Sequence, residues 1–123
     1  MAKFNIATHK FELDNEEYFL KPLGGAHIGL LFEVLDSFQS VNSRIEKDTP
    51  KDATEEEREK FSSEKFLEYL DKASLAKLHT LTMETFKRSY PSEKVDDLEG
   101  FVTQNLFKLM NHVIKVNMGS TEE

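Results

Sequence analysis

The stretch Asp96–Val116, DDLEGFVTQNLFKLMNHVIKV, carries apolar side chains at helical spacing on two of its sides. At about 100° of rotation per residue, the apolar side chains of one side fall within an arc of roughly 80° around the helix axis. This first stripe consists of Leu98, Val102, Leu106, Leu109, Val113 and Val116. A second stripe lies on the neighbouring side and consists of Phe107, Met110, Ile114 and Met118. Such breadth predicts either a central helix, contacted on two sides by its own domain, or a helix that presents a surface to a partner.

The boundaries of this helix follow from the residues around it. Asp96 and Glu99 have the D-x-x-E spacing of a capping box, so the helix is predicted over 96–116. Pro91 ends the preceding helix, because the residue before a proline is pushed out of helical geometry. That preceding helix is predicted over 74–89 with Ser74 as its cap. Its buried face is predicted to hold Leu75, Leu78, Leu81, Thr82 and Phe86.

In the first half of the chain, the spacing of the apolar residues changes from alternation to helical spacing. Residues 3–22 alternate around Asp14-Asn15-Glu16 and predict a β-hairpin, which Phe4 and Ile6 extend. From Ala26 the apolar period becomes helical and predicts a helix over 26–45. Thr54 and Glu57 form a T-x-x-E capping box for a helix over 55–72. Its buried stripe is predicted to be Phe61, Phe66, Leu67 and Leu70.

These elements predict one mainly α domain over 1–123, with four helices behind a short N-terminal hairpin. The polar segment 46–54 is predicted to be a mobile loop, and the polar tail 117–123 is predicted to fray. Two strands alone are marginal in water, so the hairpin is expected to lie on the helices.

Composition narrows the classes of function. The net charge of −7 argues against non-specific binding to nucleic acid or to an anionic membrane surface. The absence of cysteine excludes disulfides, zinc fingers and thiol chemistry. No apolar run approaches the roughly 20 residues that span a bilayer.

The sequence contains no recognisable catalytic or metal-binding motif. The histidines His9, His27, His79 and His112 are not spaced as a helical metal pair, and surface or packing roles are expected for them. The segment GGAHIG lacks the lysine of a phosphate-binding loop. We therefore predict no enzyme, no cofactor and no metal, with one alternative left open: a catalytic site assembled from distant positions.

The order of the segments resembles the tail assembly chaperones of long-tailed bacteriophages. In that family an extended N-terminal segment precedes a helical domain, a leucine-rich helix ends near Tyr-Pro, and the last helix begins with acidic residues and ends near an asparagine. The matching segments are Tyr18–Leu23, Leu75–Pro91 and Val95–Asn117. They cover most of the chain, and residues 46–60 match least.

The resemblance implies a non-enzymatic chaperone that binds the tape measure protein, a long and largely helical protein, and keeps it soluble while the tail tube assembles. It also implies a longer form, made by ribosomal frameshifting, whose extra domain recruits the tail tube protein. The chaperone would act in the cytoplasm of the infected host and be absent from the mature virion. This chain would be the short form.

The apolar stripes agree with such a role, because a helical client binds a groove through anchors at helical spacing. The candidate interface residues are Phe107, Met110, Ile114, Met118, Ile28, Leu31, Leu35 and Phe38. The same stripes also suit self-association into a homo-oligomer. Two further alternatives are a structural or scaffolding helical protein that remains in an assembly, and an acidic regulator that mimics the charge of DNA.

Overall fold

A computed structural model describes residues 8–119, and within that range four α-helices follow a two-stranded antiparallel hairpin. The strands are β1 (His9–Leu13) and β2 (Glu16–Leu20). The helices are α1 (Ile28–Asp48), α2 (Glu55–Tyr69), α3 (Lys72–Ser89) and α4 (Val95–Asn117). This order confirms the predicted mainly α fold with its N-terminal hairpin. The predictions for residues 3–7, with Phe4 and Ile6, and for residues 120–123 lie outside the described residues.

The hairpin is closed by a two-residue turn at Asp14-Asn15. These residues have φ angles of 52° and 67°, as a type I′ turn requires at both central positions. Short polar side chains tolerate this left-handed conformation better than most residues. The turn sets a register in which Phe11 faces Tyr18, and Leu20 is fully buried. The predicted alternation of the two strands is confirmed.

Helix α1 begins two residues later than predicted, after a 3₁₀ turn at Gly25–His27, and ends three residues later, at Asp48. Thr49 is extended, with ψ at 130°, as the residue before a proline prefers. Its backbone N–H still donates to Ile45 O at 2.9 Å and closes the last turn. Residues 46–48, predicted as part of a loop, are therefore helical, and the connection to α2 is shorter than predicted.

Helix α3 begins two residues earlier than predicted because Asp71, not Ser74, is its N-cap. The Ser74 backbone N–H donates to Asp71 Oδ1 at 2.7 Å, so Ser74 occupies the third helical position. Aspartate and serine are comparably good N-caps, and the sequence does not rank them. The upstream cap also ends α2 at Tyr69, before the predicted residue 72.

The capping box predicted for α4 is wrong. Lys94 is the N-cap and makes no side-chain capping bond, so the helix begins at Val95. Asp96 and Asp97 instead lie in the first turn, where carboxylates interact favourably with the helix dipole. After the helix, Gly119 has a φ of 77°, the left-handed geometry common just past a helix end.

The central helix is α3, which packs against α1, α4 and β2. Its buried positions include hydroxyl side chains, and each hydroxyl donates to the carbonyl one turn earlier. Thr82 donates to Leu78 O, Thr85 to Leu81 O and Ser89 to Thr85 O, at 2.7–2.8 Å. These bonds satisfy polar groups that would otherwise be costly to bury.

Helix α2 packs mainly on α1 and contributes no buried residue, so its predicted buried stripe is wrong. Leu67 is 54% exposed, and Phe61, Phe66 and Leu70 are half-buried. The Phe66 ring meets Phe38 edge-on at 5.3 Å. The α1–α2 pair therefore extends beyond the main core, which explains why α2 needs fewer buried side chains. The predicted capping box of α2 is confirmed: Thr54 and Glu57 exchange both bonds.

The cap of α3 predicts a measurable pH dependence. The hydrogen bond from the Ser74 backbone N–H holds the pKa of Asp71 below its ordinary value. The stabilisation is therefore present above the ordinary pKa of the unfolded chain and is lost as the pH falls through the lowered pKa of the folded protein. We expect the urea midpoint of the D71N variant to fall less than that of the wild type between about pH 5 and pH 2.

The matched control is D52N, at an exposed aspartate in the loop between α1 and α2. This variant should retain the acid dependence of the wild type. Identical acid profiles for D71N and the wild type would contradict the capping role of the Asp71 carboxylate.

Candidate protein-binding surface

The first apolar stripe of α4 is the part that faces the core. All six of its side chains are buried, as predicted: Leu98, Val102, Leu106, Leu109, Val113 and Val116. They belong to the same cluster as the buried face of α3, to which α4 packs closely. This face of α4 is structural and is not available to a partner.

A second side of α4 is covered by the hairpin. The Phe11 ring stacks on His112 at 4.2 Å, and the Tyr18 ring lies 5.2 Å from that of Phe101. Phe101 and His112 belong to neither of the two apolar stripes of α4. The helix is therefore contacted on two sides by its own domain, but the second contact does not cover the second apolar stripe.

The hairpin also brings two histidines together. His9 is buried, and its Nε2 lies 2.7 Å from Nδ1 of His112. One ring donates and the other accepts in such a bond, so the accepting nitrogen carries no proton. A packing role for these histidines agrees with the sequence-based expectation. Their pairing could not be predicted, because the two residues lie 103 positions apart and only the hairpin joins them.

Three side chains anchor β2 and the segment after it to the helices. Tyr90 Oη accepts from the Phe19 N–H at 2.9 Å, and Ser89 Oγ accepts from the Lys21 N–H at 2.9 Å. Asn117 Oδ1 accepts from the Leu23 N–H at 2.8 Å. Backbone donors that have no partner strand are thereby satisfied.

Asn117 joins three elements at the end of α4. Its Nδ2 donates to Thr85 Oγ1 at 3.0 Å and to Val113 O at 2.8 Å, in addition to the bond that Leu23 donates. Helix α4 therefore extends one residue past its predicted end and includes residue 117, the first residue of the predicted tail. Asn117 is the last residue of α4 and connects it to α3 and to the segment after β2.

The second stripe of α4 remains open to solvent at its ends. Phe107 is 41% exposed and Met118 is 57% exposed. Met110 and Ile114 are half-buried, and each packs one side against the core. All four predicted interface residues of α4 therefore have some accessible apolar surface.

The four predicted interface residues of α1 differ from one another in how far they are exposed to solvent. Leu31 is a core residue at 7% exposure and is not accessible to a partner. Leu35 and Phe38 are half-buried against the core. Ile28 is 53% exposed. Phe32, not among the predicted interface residues, is 56% exposed one turn after Ile28. The i, i+4 spacing of Ile28 and Phe32 was the signal that could have identified it.

The exposed residues Ile28 of α1 and Met118, just after α4, lie at neighbouring helix ends, whereas Phe107 lies in the middle of α4. Ile28 and Asn117 line one small cavity of about 120 Å³, together with Leu23 and Leu81, and Met118 follows Asn117 directly. We call the accessible apolar residues of these two helices the α1–α4 surface. It consists of Ile28, Phe32, Phe107, Met110, Ile114 and Met118.

Other features of residues 8–119 are weaker candidates for a binding site than the α1–α4 surface. A groove of about 470 Å³ between α1 and α3 is lined largely by charged and hydroxyl side chains, including Glu33, Asp36 and Lys77. Within the described range, no three histidine, aspartate or glutamate side chains are grouped to hold a metal ion. No helix in that range has the length and hydropathy to cross a bilayer.

Comparisons with protein-family models, curated proteins and solved structures found no match.

Proposed function

We propose that this chain is a non-enzymatic tail assembly chaperone of a long-tailed bacteriophage. It binds the tape measure protein, keeps it soluble and helps the tail tube to assemble. The observation that carries the proposal is the α1–α4 surface, which exposes aromatic and aliphatic side chains on two helices. Apolar surfaces of this kind mark interaction sites, and methionines such as Met110 and Met118 adapt to varied partners.

A helical client suits this surface better than an extended one. The side chains on α4 recur at three and four residues, the spacing with which helices pack against one another. The edge of β2, where an extended segment would otherwise pair, is partly occupied by Tyr90 and Ser89. The tape measure protein, as a long and largely helical chain, is a client of the right kind.

The segments that carry the family resemblance also have a structural role in this chain. Tyr90 and Asn117, the residues at the ends of the two matching helices, both bind the backbone of the hairpin segment. The residues that carry the resemblance are therefore also residues that join the hairpin to the helices. This supports the proposal through architecture and does not depend on any one interface residue.

The remaining parts of the proposal concern partners and location. The chain is the short form, and a longer, frameshifted form recruits the tail tube protein. Both act in the cytoplasm of the infected host and are absent from the mature virion. A frameshift predicts a slippery heptamer near the codons for Asn117–Glu123, an overlapping reading frame and then a very long gene with helical periodicity.

The direct test is co-expression of this chain with the product of that long gene. We expect the two to co-purify and the long protein to become soluble. A double variant, F32D with M118D, should remain folded because both side chains are mostly exposed, and should lose co-purification at least about tenfold. The control is L67D, which places one negative charge, against two in the double variant, on an equally exposed apolar position of α2.

Two results would contradict the proposal. Equal retention of the long protein by the double variant and by L67D would show that the α1–α4 surface does not bind it. Detection of this chain in purified virions would favour the scaffolding protein instead. Sedimentation of the wild type and the double variant over a wide concentration range tests whether the same surface joins two copies.

A further inference from the structure

A further cavity, separate from the two described above, lies where β2, the end of α3 and the beginning of α4 meet. Its volume is about 200 Å³, larger than the roughly 150 Å³ of an apolar cavity that accommodates benzene. It is lined by Tyr18, Phe86, Tyr90, Glu93, Asp97, Leu98 and Phe101. None of these belongs to the α1–α4 surface, so the cavity requires its own explanation.

Four aromatic rings form the walls of this cavity. Phe86 is almost fully buried, and its ring lies 5.7 Å from that of Phe101 and 6.1 Å from that of Tyr90. The Tyr18 ring lies 5.2 Å from that of Phe101. Tyr90 is held by the Phe19 N–H, which donates to its hydroxyl. The walls are therefore ordered by packing and hydrogen bonding before any ligand binds.

The charged residues that line the cavity are both acidic. Glu93 and Asp97 are exposed carboxylates, and no basic side chain contributes to the lining. Within residues 8–119, neither carboxylate forms an ion pair with a lysine, arginine or histidine. The Glu93 N–H donates to Tyr90 O at 3.1 Å, which fixes the backbone of Glu93 beside the ring of Tyr90.

Acidic side chains also act on the cavity from the hairpin side. The pKa of Tyr18 is raised, first by burial and then by the charges of Glu16, Tyr90 and Asp14. Of these causes, the negative charges of Glu16 and Asp14 also favour a bound cation, whereas burial disfavours a charge of either sign. Aromatic faces attract cations through their quadrupole, and the effect grows when the cation loses water.

We propose that this cavity binds an arginine side chain of a partner polypeptide. The planar guanidinium stacks on aromatic faces and donates to carboxylates in a fork geometry, so it matches both the rings and the pair Glu93 and Asp97. The apolar stem of arginine suits the ring-lined interior. The inference does not rest on the proposed function, since it uses other residues and holds for any basic partner segment.

The test uses the full chain and two small probes, acetyl-arginine methylamide and its neutral isostere acetyl-citrulline methylamide. We expect the arginine probe to shift the NMR signals of Tyr18 and Phe101 in a saturable manner. Its affinity should exceed that of the citrulline probe at least about fivefold, as a desolvated cation–aromatic contact with nearby carboxylates allows.

The variant E93Q/D97N should lower the affinity for the arginine probe by about the same factor. The matched control is E56Q/E59Q, which removes two exposed carboxylates from α2 and changes the net charge equally. Both double variants alter exposed side chains, so both should fold. Equal binding of the two probes, or an equal loss in the control, would overturn the proposal. Dependence of the same NMR signals on protein concentration without probe would assign the cavity to a second copy of the chain and would also overturn it.

Discussion

Replacement of Leu109 by alanine is expected to lower the free energy of unfolding by about 2–5 kcal/mol. Leu109 is fully buried at the middle of the stripe by which α4 joins the core. The substitution removes apolar contacts and leaves a cavity that close-packed neighbours fill only in part. For a domain of this size, the loss is a large fraction of total stability. Urea unfolding followed by circular dichroism measures it.

The control for this prediction is the same substitution at Leu67, which is 54% exposed on α2. Leu67→Ala should change the free energy of unfolding by no more than about 0.5 kcal/mol, as is usual for surface positions. If the two variants lost similar stability, α4 would not be packed against α3 as described. The pair also separates burial from helix propensity, since both positions exchange leucine for alanine within a helix.

Replacement of Asn117 by alanine is expected to cost about 1–3 kcal/mol, although one residue at a helix end is seldom so important. The change removes the acceptor for the Leu23 N–H and the donor to Thr85 Oγ1. The Leu23 N–H then loses the acceptor described for it, and the buried Thr85 hydroxyl keeps only the bond that it donates to Leu81 O. Hydrogen exchange should show the local consequence, with faster exchange at the Leu23 amide.

Asn111→Ala is the matched control, because Asn111 is an exposed asparagine on the same helix. At Asn111, in the interior of α4, the substitution gains helix propensity, which alone would slightly stabilise the helix. The difference between the two variants therefore reports the hydrogen bonds of Asn117. Equal unfolding free energies, with unchanged exchange at Leu23, would show that Asn117 does not anchor the hairpin segment.

Local physical chemistry explains why the elements could be predicted. Apolar period distinguishes the strands from the helices, and the first stripe of α4 is long enough to identify every buried apolar position from Leu98 to Val116, although not the buried Asn105. The positive φ angles of Asp14 and Asn15 follow from residue types that tolerate them. Helix ends were predicted less well. Asp71 and Ser74 are equivalent as caps in sequence, and only the complete turn shows which side chain meets the free N–H.

The candidate surfaces could be predicted only in part. Periodicity identified the second stripe of α4, whose ends are exposed and whose Met110 and Ile114 are half-buried, but it placed Leu31 with the same group, and that residue is buried. The aromatic cavity was missed altogether. Tyr18, Phe86 and Phe101 come from three elements, and no spacing within one element could indicate that their rings meet.

The sequence alone determined the order and type of the elements, because turn residues, caps and apolar period act within a few neighbouring positions. Tertiary structure decided which helix is central, which apolar face stays uncovered and which distant side chains meet. Helix α3 is central because both α4 and the hairpin pack on it. The hairpin also covers a side of α4 that belongs to neither of its apolar stripes. The second stripe remains accessible for that reason, since the hairpin lies elsewhere on the helix.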